Sequence, residues 1–174
     1  MKISTGLITV LLMSGLLATQ TVSADCRDDI TPLTPTSRFT LNENGTVTDT
    51  QTGLMWMRCS LGQTWGSTTC TGDAFRYNWV QALNAPKNNN LAGFTDWYLP
   101  NIKELSSIVE TSCFYSSINQ TVFPGTPSDA YWSSSPAAFP HRAVWVVDFQ
   151  YGFDGLHAGG NHLYVRLVRA NAAQ

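Results

Sequence analysis

The stretch "AVWVVDFQYG" (Ala143–Gly152) decides the fold class. Its β-branched and aromatic residues read as a strand, and the glycine that closes it marks a turn. Side chains alternate along a strand, so Trp145, Val147 and Phe149 point one way and Val146, Asp148 and Gln150 the other. Asp148 therefore shares a face with an apolar neighbour, where an unpaired carboxylate is costly. The C-terminal stretch "HLYVRLVRA" offers Arg166 and Arg169, both flanked by aliphatic residues. If the two stretches are neighbours, a structural ion pair joining Asp148 to Arg166 and Arg169 is expected. Calcium ligation and general acid–base catalysis are the alternatives for Asp148.

β-type signals continue on both sides of this stretch. Before it, "AYWSSS" reads as a strand; after it, "FDGLHAGGN" reads as a glycine-rich loop leading to the final strand. Further upstream, "SRFTLNENGTVTDTQTGLMWMRC" alternates strand-favouring runs with the turn signals Asn44-Gly45 and Thr52-Gly53, the pattern of a β-meander. Two helical segments interrupt the β pattern. In "WYLPNIKELSSIVETSC" Asn101 and Glu104 have capping-box spacing, and Ile102, Leu105, Ile108 and Val109 fall on one face, predicting a helix from Ile102 to Thr111. "YNWVQALNA" is a short amphipathic helix ended by Pro86. The sum is an α+β domain with a mostly antiparallel sheet and two helices.

The N-terminus has Lys2, an apolar run from Gly6 to Ala18 and the small residues Val22-Ser23-Ala24, which read as a cleavable secretory signal over 1–24. Residues 25–37 follow as an N-terminal arm, 38–170 as the domain and 171–174 as a tail. Without Lys2 there are 9 basic and 12 acidic side chains, a net charge of −3 that speaks against nucleic acid as a partner. The exported chain has no apolar run long enough for a membrane span. All four cysteines lie beyond the signal, so two disulfides are expected in a secreted or periplasmic protein. Three pairings are open. Cys59–Cys70, closing a short polar loop, with Cys26–Cys113, tying the arm to a helix, is the expected one. No C-x-x-C spacing points to zinc.

In their order, "GTVTDTQTGLMW", "WYLPNIKEL", "YWSSS", "WVVDFQYG" and "YVRLVR" resemble the C-terminal domain family of the Legionella collagen-like protein. The Fibrobacter major paralogous domains are a more distant likeness. The resemblance spans about 37–170 and implies a C-type-lectin-like fold tied by two disulfides, with exported relatives associated with surface adhesion and carbohydrate recognition. Formylglycine-generating enzymes share related folds but need a late pair of reactive cysteines. No cysteine follows Cys113, so that activity is not carried over. The calcium-dependent sugar motif of animal C-type lectins is also missing, since there is no Glu-Pro-Asn and "WVVD" is not Trp-Asn-Asp.

Side-chain chemistry points the same way. Ser133, Ser134 or Ser135 with His141 and Asp148 would supply a nucleophile, a base and an acid. They lack a G-x-S-x-G elbow and read better as strand hydroxyls. His157 and His162, with Asp154, could hold a metal, but loop histidines without a clear third ligand usually do not. Trp56, Trp79, Trp97, Trp132 and Trp145 belong to regular elements and to the core. Trp65, Phe139, Tyr151, Phe153 and Tyr164 fall in or near loops. Rings beside amides, carboxylates and imidazoles suit a sugar, whose apolar face stacks while its hydroxyls hydrogen-bond. The loops 137–142 and 150–162 are therefore the expected surface, with Tyr151, Phe153, Asp154, His157, Asn161 and His162 as ligand-binding residues. The functional expectation is a secreted, non-enzymatic module that binds carbohydrate or another surface ligand in adhesion. It has no cofactor, with calcium carried as an alternative. A structural or assembly subunit of an exported surface apparatus, binding protein, is the second reading.

Overall fold

The computed structural model describes residues 25–139 and 142–170; the expected signal (1–24), His141 and the tail (171–174) lie outside the described residues. In chain order the strands are β1 (Asp25–Cys26), β2 (Phe39–Leu41), β3 (Thr46–Asp49), β4 (Leu54–Met57), β5 (Thr64–Trp65) and β6 (Cys70–Thr71). Helices α1 (Trp79–Asn84) and α2 (Ile102–Ser106) follow. Then come β7 (Cys113–Phe114), β8 (Ala130–Pro136), β9 (Ala143–Asp148), β10 (Phe153–Ala158) and β11 (Val168–Ala170). Every strand pair is antiparallel. The larger sheets have the orders β11-β4-β3-β2 and β10-β9-β8. The α+β class with two helices is the one expected.

Local chemistry sets the first sheet. Gly45 turns β2 into β3 with a φ of 80°, and a Cβ there would stand 2.8 Å from the Trp65 side chain. Asn44 Oδ1 accepts from Thr46 N–H, fixing the same turn. β11 returns from the C-terminus to pair with β4. The strand β9 runs between β8 and β10, and its two faces feed two apolar clusters. Val147 joins Trp56, Leu105, Phe123, Tyr131 and Phe149 in one. Val144 and Val146 join Trp97, Leu99, Trp132 and Leu163 in the other. Each fully buried large side chain contributes roughly 1.5–3 kcal/mol. Of the five tryptophans assigned to the core, Trp56, Trp97 and Trp132 are buried, while Trp79 and Trp145 are half-buried.

Both helices start on reciprocal caps, Asn78 with Gln81 and Asn101 with Glu104. α2 is shorter than its apolar pattern predicts. Ser107 Oγ donates to Glu104 O at 2.7 Å, and the chain tightens through Ile108 N–H to Leu105 O and Val109 N–H to Ser106 O. Ile108 and Val109 still reach the core, but through turns.

Both disulfides form as expected, Cys26–Cys113 and Cys59–Cys70. The first joins strand to strand rather than arm to helix, because Cys113 lies on β7 directly opposite Cys26 on β1. The glycine-rich stretch is likewise not a loop. Phe153–Ala158 pairs with β9 over its whole length, and an ideal Cβ on Gly155 would stand 3.9 Å from both Phe153 Cε2 and Val146 Cγ2, so the ring shelters the glycine. In "HLYVRLVRA" only Val168–Ala170 forms a strand. Leu163 and Tyr164 make single bridges to Tyr77 and Tyr131.

Candidate functional site

The turn from β9 to β10 is built around Asp148. Its Oδ1 accepts from Gln150 N–H at 2.6 Å, and its backbone carbonyl accepts from Gly152 N–H at 2.8 Å. Gly152 has a φ of 75°, and a Cβ there would stand 3.0 Å from Ser117 Cβ and 3.1 Å from Val109 Cγ1. Glycine alone meets both demands. The residues flanking it, Tyr151 and Phe153, are thereby held off the core. Each is 54% exposed, and their rings are parallel to within 7° with centroids 6.1 Å apart.

A second exposed pair joins them from the segment after the Cys26–Cys113 bridge. The Tyr115 ring lies 6.1 Å from Tyr151 and 5.4 Å from Phe114. Pairing of β1 with β7 holds Phe114 in place. Tyr115 has a φ of 61°, a conformation that costs a non-glycine residue roughly 1–2 kcal/mol. The hydroxyl of Ser128 donates to its carbonyl and helps hold it there. The result is a continuous row of four exposed rings, Phe114–Tyr115–Tyr151–Phe153.

Two of the six expected ligand-binding residues, Tyr151 and Phe153, are in this row. The other four are not. Asp154 follows Phe153 on the opposite face of β10 and is exposed. His157 shares the Phe153 face, but its Nδ1 is bonded to Asn161 Nδ2 at 3.1 Å near the far end of the strand. His162 is exposed and its carbonyl accepts from Arg76. Asp154 and His157 point to opposite faces, and among the described residues no three His, Cys, Asp or Glu side chains are grouped to hold a metal. Phe114 and Tyr115 were missed by sequence reasoning. The signal was present in "SCFYSS", two adjacent rings beside a bridged cysteine.

The expected ion pair is corrected. β11 pairs with β4, whereas β9 lies between β8 and β10, so Asp148 and Arg169 are on different sheets, and Arg166 lies ahead of β11. Arg169 grips Asp96 instead, Nε to Oδ1 at 2.7 Å and Nη2 to Oδ2 at 3.0 Å, with its guanidinium over Phe94. Arg166 is fully buried without an acid. It donates to Met57 O at 2.9 Å, to Arg58 O, to Ser60 Oγ at 3.3 Å and to Thr126 Oγ1 at 2.7 Å. Phe123 lies 4.8 Å beneath it. Burial pulls this guanidinium below its ordinary pKa. Burial also pushes the neighbouring Tyr131 phenol up to about 12; its hydroxyl bonds Ser60 Oγ at 2.6 Å.

Two of the strand serines make structural bonds. Ser133 Oγ donates to Trp145 O at 2.6 Å, and Ser135 Oγ accepts from Ile102 N–H at 3.0 Å. Two loop rings are packed rather than presented, with Arg58 over Trp65 at 4.1 Å and Arg76 over Tyr164 at 4.2 Å. A cleft of about 550 Å³ under the N-terminal arm includes Thr34, Glu110 and Asn119 in its lining. Its polar groups hold the arm: Glu110 accepts from Thr34 N–H at 2.8 Å, and Asn119 Nδ2 donates to Thr34 O at 2.8 Å.

A search of curated proteins finds no match to the chain. The family model described as the Lcl C-terminal domain matches residues 45–169, which takes in β3 through β10, both helices and all four rings of the row. The match covers well over half of the 174 residues, and the chain belongs to the Lcl C-terminal domain family.

Proposed function

We propose that this protein is a secreted or periplasmic binding module without chemistry of its own, C-type-lectin-like in its arrangement, that recognises carbohydrate on a surface. The observation that carries this reading is the row of exposed rings. Four large apolar side chains side by side in water are unfavourable unless a ligand covers them, and flat rings suit the apolar face of a pyranose. Two disulfides fit an oxidising compartment, and among the described residues no helix is long and apolar enough to cross a membrane.

The test is retention of the oxidised protein on immobilised glycans, with Tyr151→Ala and Tyr115→Ala as variants. A sugar covering about 50 Å² of the Tyr151 ring would lose roughly 1.3 kcal/mol on truncation, about tenfold in affinity. Retention unchanged in both variants would refute the reading. A second patch favours protein as the partner of a structural or assembly subunit: Phe75 ahead of α1 and Val80 on it are 58% and 63% exposed. Binding to a partner protein that is abolished by Val80→Ser and untouched by Tyr151→Ala would decide for that alternative.

A further inference from the structure

The charges around the aromatic row select the class of saccharide, an inference that rests on the binding reading above. Antiparallel partners project from the same face of a sheet, so register names the neighbours of each ring. Asp25 stands opposite Phe114 at one end of the row, and Asp148 opposite Phe153 at the other. Asp25 opens an exposed arm; removal of a signal over 1–24 leaves an α-ammonium on Asp25 that offsets its carboxylate, Arg27 is paired with Asp29 at 2.6 Å, and Asp28 keeps the arm acidic. Asp148 uses Oδ1 for the turn, which leaves its Oδ2 available.

Unpaired basic side chains are elsewhere. Nine of the ten basic side chains fall among the described residues, the tenth being Lys2. Four of these are in ion pairs, and Arg58 and Arg166 are buried. That leaves Lys87, Lys103 and Arg142. Arg142 precedes β9 while Asp148 ends it, roughly 20 Å away along six residues of strand. α2, which carries Lys103, begins at that same far end, where Ile102 N–H reaches Ser135 Oγ. α1, which leads into Lys87, starts there too, with Trp79 N–H on Gly159 O.

We infer that the row is selective for a cationic saccharide, a pyranose bearing a free amino group, with the sugar ring stacked on Tyr151 and Phe153 and its ammonium beside Asp148. An ammonium gains both from the carboxylate and from the ring faces, each worth roughly two- to fivefold at an exposed site, and about tenfold together. An N-acetylated sugar keeps only the stacking. A sulfated sugar meets like charge at both ends of the row.

The experiment titrates the oxidised protein with a glucosamine hexamer, its N-acetylated counterpart and a heparin-derived hexasaccharide. It is run in low salt at about pH 5.5, which keeps the saccharide amine protonated. The amine hexamer should bind about tenfold more tightly than the N-acetylated one, and added salt should narrow the gap. Asp148→Asn should bring the two within about twofold by weakening the amine hexamer alone, and Asp25→Asn, away from the turn, should act in the same direction. Tyr151→Ala should weaken both. Equal affinities, a preference for the N-acetylated hexamer, or tightest binding to the heparin fragment would overturn the charge inference while leaving carbohydrate recognition intact. Failure of folded protein to bind any of the three would overturn both.

Discussion

Replacing Glu110 with glutamine should uncouple the N-terminal arm, and the size of the effect follows from the donors around it. Glu110 is buried and accepts five hydrogen bonds. Its Oε1 takes Leu33 N–H at 3.2 Å, Ser112 N–H at 3.0 Å and Ser112 Oγ at 2.8 Å, and its Oε2 takes Thr34 N–H at 2.8 Å and Thr34 Oγ1 at 2.9 Å. Glutamine has one acceptor oxygen, so its NH₂ must face at least one backbone N–H. A charge-assisted bond is lost and a buried donor is left unmatched, for roughly 2–3 kcal/mol at pH 7. Burial alone would raise the Glu110 pKa, but the donors of Ser112 and Thr34 outweigh it and leave it lowered. A carboxyl depressed in the folded state contributes stability above its unfolded pKa, about 4.3, and that stability is lost as pH falls through the folded value. Urea melts of wild type and Glu110→Gln at pH 7 and at successively lower pH provide the assay. The difference should be largest at neutral pH and shrink below about pH 4.3. A gap that is absent at pH 7, or that stays constant into acid, would refute the reasoning.

Three other substitutions test the frame. Gly152→Ala should lower stability by about 2–3 kcal/mol in denaturant melts, from its positive φ and the close approach of Ser117 and Val109; no loss would mean the turn relaxes freely. Arg166→Lys keeps the charge but replaces a fork that reaches four acceptors with one nitrogen. It should cost about 2 kcal/mol or more, and a neutral result would mean that charge alone matters at this site. Loop-closure entropy ranks the disulfides, about 4–5 kcal/mol for the separation of 87 residues against about 3 for that of 11. Cys26→Ser with Cys113→Ser should therefore lower the melting midpoint more than Cys59→Ser with Cys70→Ser.

What could be read in the sequence was what depends on near neighbours. The Asn101–Glu104 cap, the Asn44-Gly45 turn and the alternation of β9 are local, and each is found where it was read. Cysteine count and loop length gave the correct pairing. Long-range polar partners were not legible. Arg169 meets Asp96 across 73 positions, and nothing near Asp96 in the chain announces it. Arg166 is held by two backbone carbonyls and two distant hydroxyls, none of which signals the contact in the sequence. β10 was hidden by its glycine, because Gly155 weakens the strand pattern and the Phe153 ring beside it is seen only in the fold. The aromatic row was half legible for the same reason. Tyr151 and Phe153 are neighbours in sequence, whereas Phe114 and Tyr115 reach them only through packing of the turn after β7.

The role of Asp148 joins these points. Its position among apolar residues suggested a charge that had to be neutralised by a buried arginine, yet the side chain is only half-buried and its first partner is a backbone N–H two residues ahead. Closing the turn this way throws Tyr151 outward, and the register with Phe153 puts the carboxylate beside the same ring row. One residue thus shapes the platform with one oxygen and charges its edge with the other. Asparagine at 148 would keep the turn and remove the charge, while alanine would remove both. If Asp148→Ala and Asp148→Asn weakened ligand binding equally, only the charge would matter. A larger loss with alanine, accompanied by altered near-ultraviolet dichroism of the tyrosines, would show that the turn itself presents the rings.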